Sequence, residues 1–479
     1  MSTFSGLNTA YSGLVAARKG LDVVGQNISN ANTVGYTRQR VTTSAVGSLA
    51  ETGQLTSGLR VGEGVSVDGI ARLGNAQLDA HVRNSAAAAG YTAVRANSLS
   101  SIETSLNEPG ENGISAKLDE FWAGWQELAN GSDSATPAAL LLSTAGEFTT
   151  MIAQGYQVVS DEYSSVRGDL GSMVTELNTA ASQVAALNVQ IRTTLATGGS
   201  ANELLDQREL LTTTISALTG ASVVAQSDGT VNVLIGGNAL VSGGTASALA
   251  VSDAETLDDA MGGGTVTLAW ADLARTAAVT IDGGEIAGAL TLLAPSGDLV
   301  TAATGYNNFA TDLKNKVNEI YTTGKSSTGA PSSEFFLSDT SKPAALGLYV
   351  VPTKGSEVVA GDIENGGAYD GSVADAIAQL GAGQATNADG SVASPNTKWS
   401  DFVSTIAVAT QSELQQANLA STTATYASSQ QLANSSVDLD EENVNLLMFQ
   451  TAYQGAARVL TAVDEMLDTL INRTGLVGR

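Results

Sequence analysis

Leu7, Leu14, Leu21 and Ile28 recur at intervals of seven, and Ala10, Ala17, Val24 and Ala31 follow each of them by three. That spacing predicts a helix with a single apolar seam of the a/d type. Gly6, Gly13, Gly20 and Gly25 interrupt it. Each costs about 1 kcal/mol of helix propensity relative to alanine, so this helix needs a partner. The far end of the chain repeats the pattern. Leu446, Tyr453, Leu460 and Leu467 are seven apart, with Phe449, Ala456, Val463 and Leu470 three residues after each. Asp438, three residues before Glu441, predicts the helix start, with acidic residues in the first turn. Two seams at opposite ends of one chain suggest that the termini pair with each other as a coiled coil. The alternative is that each packs on its own domain.

A third seam runs through the middle: Tyr156, Tyr163, Leu170, Leu177, Val184 and Ile191, with Val159, Val166, Met173, Ala180, Leu187 and Thr194. At 1.5 Å per residue it predicts a rod of roughly 54 Å. Thr136-Pro137 reads as the cap and first position of the helix leading into it. Further helices are expected over residues 73–106, 201–218, 306–322 and 401–434. Strand character is concentrated elsewhere. Val61, Val65, Val67 and Ile70 alternate, and residues 222–293 are rich in Val, Thr and Gly with turn pairs such as Asp228-Gly229 and Gly236-Gly237. Residues 335–380 mix short apolar runs with turns. All seven prolines fall between Pro109 and Pro395, which leaves both ends free for long helices. The expected architecture is α+β and multidomain: a terminal coiled-coil domain of residues 1–40 with 438–479, a mainly helical rod domain of 41–219 with 296–437, and a small all-β domain of 220–295 inserted at its tip.

Composition then removes most chemistry. The 479 residues include one histidine, His81, and no cysteine. Disulfides, thiolate metal sites, thiol nucleophiles and multi-histidine metal sites are excluded. His81 reads as a surface residue of a helix, and no serine sits in a nucleophile elbow. Gly324-Lys325-Ser326 lacks the earlier glycine of a phosphate loop, because residue 319 is Glu. Gly62-Glu63-Gly64 lacks the third glycine of a dinucleotide fingerprint. Asn387-Ala388-Asp389-Gly390 lacks the hard ligands of a calcium loop. The formal charge of −26 argues against a nucleic-acid partner. It is unevenly spread: residues 1–40 hold Arg18, Lys19, Arg38 and Arg40 against Asp22, whereas seven acids face three arginines after residue 437. The two ends could attract each other, or these are ordinary solvated faces. The N-terminus lacks the pattern of a cleaved secretory signal, and no apolar run approaches the 18 or so residues of a membrane span.

One stretch is recognisable as it stands. Gln26-Asn27-Ile28-Ser29-Asn30-Ala31-Asn32-Thr33-Val34-Gly35-Tyr36-Thr37-Arg38 resembles the N-terminal signature of bacterial flagellar axial proteins, the family of rod, hook and hook-associated subunits. Asn27, Asn30, Asn32, Thr33, Gly35 and Tyr36 carry the likeness, and residues 64–72 resemble the strand that follows it. Residues 436–442, leading into Asn445-Leu446-Leu447-Met448-Phe449-Gln450 and on to Leu460, resemble the family's C-terminal signature. Leu205-Asp206-Gln207-Arg208-Glu209-Leu210-Leu211 and the 228–241 segment are similar to the hook–filament junction branch of the family.

The resemblance implies a non-enzymatic structural subunit without cofactor or metal. It implies a secreted protein of the extracellular flagellum, exported by the flagellar type III route without a cleaved signal. The implied partners are copies of itself in a ring, the hook protein, a second junction protein (hook-associated protein 3), and a cytoplasmic chaperone on the C-terminal helix, with neither nucleic acid nor membrane insertion. The assembly seam is then Leu7, Leu14, Leu21, Ile28, Leu446, Phe449, Tyr453, Leu460, Val463, Leu467 and Leu470. A hook or distal-rod subunit is the competing reading. A secreted hydrolase on an axial scaffold is a third.

Overall fold

In the computed structural model of the chain, residues 3–47, 62–132, 134–252, 254–271, 279–325, 331–361, 370–383 and 394–473 are described. The start of the 61–70 strand pattern, Ser326 and the 387–390 turn lie outside them.

The chain opens with α1 (Thr3–Ser29), then β1 (Gln39–Ala45) and β2 (Val65–Arg72), an antiparallel pair with a bulge at Thr42/Thr43. Next come α2 (Ala76–Leu106), α3 (Ile114–Asn130), α4 (Ala135–Ala196) and α5 (Asn202–Thr219). Strands β3 (Ser222–Ala225), β4 (Val231–Ile235), β5 (Asn238–Ser242) and β6 (Thr245–Ala246) form an antiparallel meander. The β7 strand (Leu249–Ser252) pairs with β8 (Thr267–Trp270) around the short α6 (Leu257–Met261). After α7 (Gly284–Leu293) and α8 (Asp298–Tyr321), the hairpin of β9 (Phe336–Ser338) and β10 (Leu348–Val350) encloses α9 (Ala344–Gly347). The last helices are α10 (Ser372–Gly381), α11 (Pro395–Ser435) and α12 (Leu439–Asp468), which runs into a π turn at Thr469–Arg473.

The spine is α4, 62 residues and about 93 Å long. Ser134 caps it by accepting from the Thr136 N–H, so the helix starts before the expected Thr136-Pro137. Its buried stripe follows the expected seam through Tyr156, Val159, Tyr163, Val166 and Leu170, then takes Val174 in place of Met173. Beyond Val174 the stripe returns to the expected seam at Leu177, Ala180, Val184, Leu187 and Ile191, so the 3.5-residue repeat holds over five heptads with one local shift. The α3 helix was not legible as an element. Its Leu118, Phe121, Trp122, Trp125 and Leu128 form one buried face, and Phe121 touches Trp122, Trp125, Phe148, Phe335 and Phe336.

Two expectations need correction. Residues 284–293 are helical, not strand; α7 packs on α2, α4 and α5. The strands of 222–270 also lack a core of their own, because Val233, Ile235, Val241 and Leu268 belong to the same buried cluster as α4. Moreover, Gly284–Tyr321 is long and apolar enough by composition to cross a membrane, yet 61% of its most apolar window is buried inside the fold. It is two core helices, α7 and α8, split at residues 294–297.

Strands are fastened to helices by a recurring device. Asn188 on α4 donates to the Val231 carbonyl at 2.8 Å and accepts from the Val231 N–H at 3.0 Å. Asn178 does the same to both backbone groups of Leu249, and Asn318 on α8 to both of Phe336. A carboxamide matches a peptide edge, one donor and one acceptor side by side, so it completes a strand where no neighbouring strand exists. We predict that Asn188→Leu, similar in volume, destabilises the body by about 3 kcal/mol or more, because it strands several buried polar groups. A shift in urea midpoint equivalent to less than 1 kcal/mol would contradict this.

Candidate functional site at the base of the terminal helices

The terminal helices lie side by side and antiparallel. Asn27 meets Glu442, a Cβ on Gly20 would strike the Phe449 ring, and Gly6 faces Val463. Each step of 7 or 14 residues along α1 is matched by an equal step back along α12. The face that α1 turns to α12 is built from small residues: Ala10, Ala17, Gly20 and Val24 are buried. Leu7, Leu14, Leu21 and Ile28 are only half-buried, one residue off that face. On α12, Leu446, Phe449, Leu460 and Leu467 are half-buried, Val463 is buried, and Tyr453 and Leu470 are exposed. One of the glycines that lower helix propensity therefore has a use: at Gly20 the backbone lies directly under an aromatic ring.

Below the pair, the three recognisable sequence blocks converge on a polar joint. Asn27 is 1% exposed and uses its whole carboxamide. Nδ2 donates to the Gln39 carbonyl at 2.9 Å and to Glu442 Oε2 at 3.0 Å. Oδ1 accepts from the Gln39 N–H at 3.0 Å and from the Tyr36 hydroxyl at 2.9 Å. Glu442, also 1% exposed, receives Arg38 Nε at 2.8 Å, while Arg38 Nη1 reaches Glu441 at 2.6 Å. Burial alone would lower the pKa of Arg38, but hydrogen bonds to Glu441 and Glu442 and their charges raise it. The basic start and acidic end of the chain thus meet at one defined place.

The turn between α1 and β1 is shaped by its own residues. Asn30 donates to the Gln26 carbonyl and accepts from the Thr33 hydroxyl, and Gly35 takes a φ of +80° that favours glycine. Asn32 and Thr33 are exposed. The turn presents Tyr36 and Thr37 inward. The Thr37 N–H donates to Asp206 Oδ2 at 3.0 Å, and Arg72 Nε holds Asp206 Oδ1 at 2.5 Å. One turn of α5 thus addresses three elements. Asp206 takes the hairpin, Glu209 pairs with Arg83 of α2, and Arg208 donates to Asn188 of α4 and to the Gly229 carbonyl. Burial raises the Glu209 pKa against the pull of Arg83 and lowers that of Arg208. None of this was legible as geometry; only the resemblance of 205–211 singled the block out.

Beside the joint, an open cleft of about 700 Å³ lies between α1, β1 and α12, with Val23, Val41, Met448 and Phe449 in its walls and Arg38 and Glu441 at its rim. Among the described residues no cluster of His, Cys, Asp or Glu is arranged to hold a metal. His81 is exposed on α2, as expected. The arrangement can join helices; no nucleophile with its base is assembled in it.

Comparison with known proteins decides what is being joined. The model of the flagellar hook-associated protein FlgK helical domain matches residues 99–336. Those of the flagellar basal body rod FlgEFG protein C-terminal region and of the flagella basal body rod protein match residues 428–473 and 7–37. The flagellar hook-associated protein 1 of Bacillus subtilis is 29% identical over the full length of both chains. The chain belongs to the flagellar hook-associated protein 1 family. The Escherichia coli hook-associated protein 1 is 27% identical, over 97% of this chain and 99% of that one. That of Salmonella typhimurium is 32% identical over 51% of this chain and 44% of its own. The flagellar hook junction protein FlgK from Burkholderia pseudomallei shares the fold, with a TM-score of 0.64 at 16% identity over 75% of this chain and all of that one. Hook-associated protein 1 is a structural component of the flagellar axis, not an enzyme.

Two predictions test the joint. Asn27→Asp removes the donors and sets a second carboxylate beside Glu442. Amide exchange over residues 442–460 should accelerate roughly a hundredfold, equivalent to about 3 kcal/mol. Unchanged exchange would refute the role of Asn27. The second concerns alkali. Burial, then the charges of Glu203, Asp206 and Glu442, push the Tyr36 phenol from 10.0 up to about 12. A raised pKa means that the contribution of the protonated hydroxyl is complete below pH 10 and fades as pH rises through 12. The stability difference between wild type and Tyr36→Phe should therefore be constant to pH 10 and then shrink.

Proposed function

We propose that this chain forms the junction between hook and filament, and that it assembles through its terminal helix pair. The observation that carries the reading is the state of α12. Most of its apolar side chains remain exposed in the single chain, including Val444, Leu447, Met448, Val459 and Met466. Apolar area left in water is worth about 25 cal/mol per Å² when another subunit covers it, so polymerisation completes a core that folding alone does not. In this reading α1 and α12 supercoil as the terminal coiled-coil domain, and 41–437 form the rod body, with the strands of 222–270 built onto α4. The partners are further copies in a ring, the hook protein on one side and hook-associated protein 3 on the other. Before export through the type III route without a cleaved signal, a cytoplasmic chaperone covers the C-terminal helix.

The two end signatures are shared with rod and hook subunits, which keeps a hook or distal-rod position as the second reading. The match over 99–336 to the hook-associated helical domain favours the junction. Copy number in isolated hook–basal bodies separates them, since a ring holds far fewer copies than a hook.

Leu460→Asp or Leu467→Asp should abolish junction assembly, scored as loss of filaments by electron microscopy. The body, anchored on α4, should unfold at the wild-type urea midpoint. Normal filaments and motility in such a strain would overturn the proposal.

A further inference from the structure

The heptad frame of α12 carries a second apolar row that α1 does not use. Met448, Ala452, Gly455, Val459, Ala462 and Met466 follow one another in steps of four and three. The large members are half in water, Met448 at 54%, Val459 at 50% and Met466 at 52%, and a Cβ on Gly455 would meet nothing within 4 Å. The row is continuous with the α1–α12 interface, displaced by about 100° around the helix. On α1 the half-buried Leu7, Leu14, Leu21 and Ile28, with exposed Tyr11, form a matching row, again one position off the face turned to α12.

The two rows lie on opposite faces of the pair. The Ser12 hydroxyl accepts from the Val65 N–H, which sets the hairpin against one side of α1. The cleft shared by Val41 and Met448 puts the methionine row on that same side. Helical geometry then puts the leucine row on the other, at about 100° per residue. A large-residue row on one face and a row with small residues at its centre on the opposite face describe a head-to-tail contact, which propagates into a ring or tube.

Charge selects the register. Arg18 and Asp22 flank the leucine row, and Glu465 and Arg458 flank the methionine row; all four are exposed and none has an ion pair among the described residues. Within one chain Arg18 lies opposite residue 451, about 21 Å short of Glu465. Sliding α12 of a neighbouring copy by two heptads keeps the frame. It brings Arg18 to Glu465 and Asp22 to within a helical turn of Arg458, and sets Leu21 over Ala462 and Ile28 over Gly455.

We propose that the leucine row of α1 in one copy packs on the methionine row of α12 in the next, staggered by two heptads. This rests on the reading of the terminal pair as the assembly element and names its partner: a second copy of this chain, in one register.

The chain has no cysteine, so introduced pairs report cleanly. In flagella isolated from cells carrying the full-length chain, Leu21→Cys with Ala462→Cys should yield disulfide-linked multimers on mild oxidation. The two positions are too far apart to close within one chain. Arg18→Glu should lose filaments, and adding Glu465→Arg in the same chain should restore them, with the urea midpoint of the soluble protein unchanged throughout. Filaments containing the double-cysteine chain but no crosslink would overturn the face and leave the assembly role standing. Defects of Arg18→Glu and Glu465→Arg that add instead of cancelling would overturn the register. Absence of the chain from isolated junctions would overturn the reading beneath both.

Discussion

An asparagine side chain on a helix, paired to both backbone groups of a single strand residue, is the interaction on which this structure depends. Asn178, Asn188 and Asn318 hold Leu249, Val231 and Phe336 in this way, and Asn27 holds Gln39. The strands are short; Gln39, Leu249 and Phe336 stand in two-stranded sheets and Val231 at the end of β4, before its pairing with β5 begins at Val233, so their free backbone groups face a helix instead of another strand. A buried peptide group without a partner is costly, and an apolar helix face cannot supply one. The carboxamide carries the peptide's own donor and acceptor without a charge to desolvate. It lets small β elements merge into a helical body with one continuous core.

At Asn27 the same clasp carries an additional load. The carboxamide also meets Glu442, and through Glu442 it meets Arg38, so both ends of the chain are held at one point. Contacts between small residues, as between α1 and α12, permit sliding by a heptad, because every heptad looks alike. A buried carboxylate that must find one guanidinium and one amide does not. The joint therefore sets the register of the helix pair, while the packing of Gly20 under Phe449 sets how closely the helices approach. An axial subunit benefits from that division: the outward apolar rows remain free for other copies while the pair stays aligned.

Legibility in the sequence followed the range of the forces involved. The seam within α4 and the capped start of α12 rest on local periodicity and charge, and they were readable; the Ser394-capped start of α11 and the antiparallel sense of the terminal pair were not. The leucine row of α1 was readable as a row but not as to what it touches. A heptad shows that one face is apolar; the one-residue offset that puts glycine and alanine against α12 depends on ring-to-backbone contacts formed only on packing. The α3 helix was missed although Phe121, Trp122 and Trp125 mark it, because aromatic residues alone do not distinguish a helix from a strand. Residues 284–293 hold one Thr against three Leu and two Ala, a composition that itself favours helix; the strand expectation extended over them from the Val-, Thr- and Gly-rich segment before them.

By itself the sequence determined the class of protein: the absence of cysteine and a single histidine leave little catalytic chemistry, and the Asn-rich block and its C-terminal counterpart mark a flagellar axial subunit. Those are properties of residue type and of short motifs, which survive without a fold. Only the tertiary structure decided that residues 27–39, 202–209 and 438–442 are one site, because they are distant in the chain and meet through three separate helices. It also decided which apolar rows are spent inside the chain and which remain outside. That follows from the angle at which two helices face each other, which no spacing along a single helix contains.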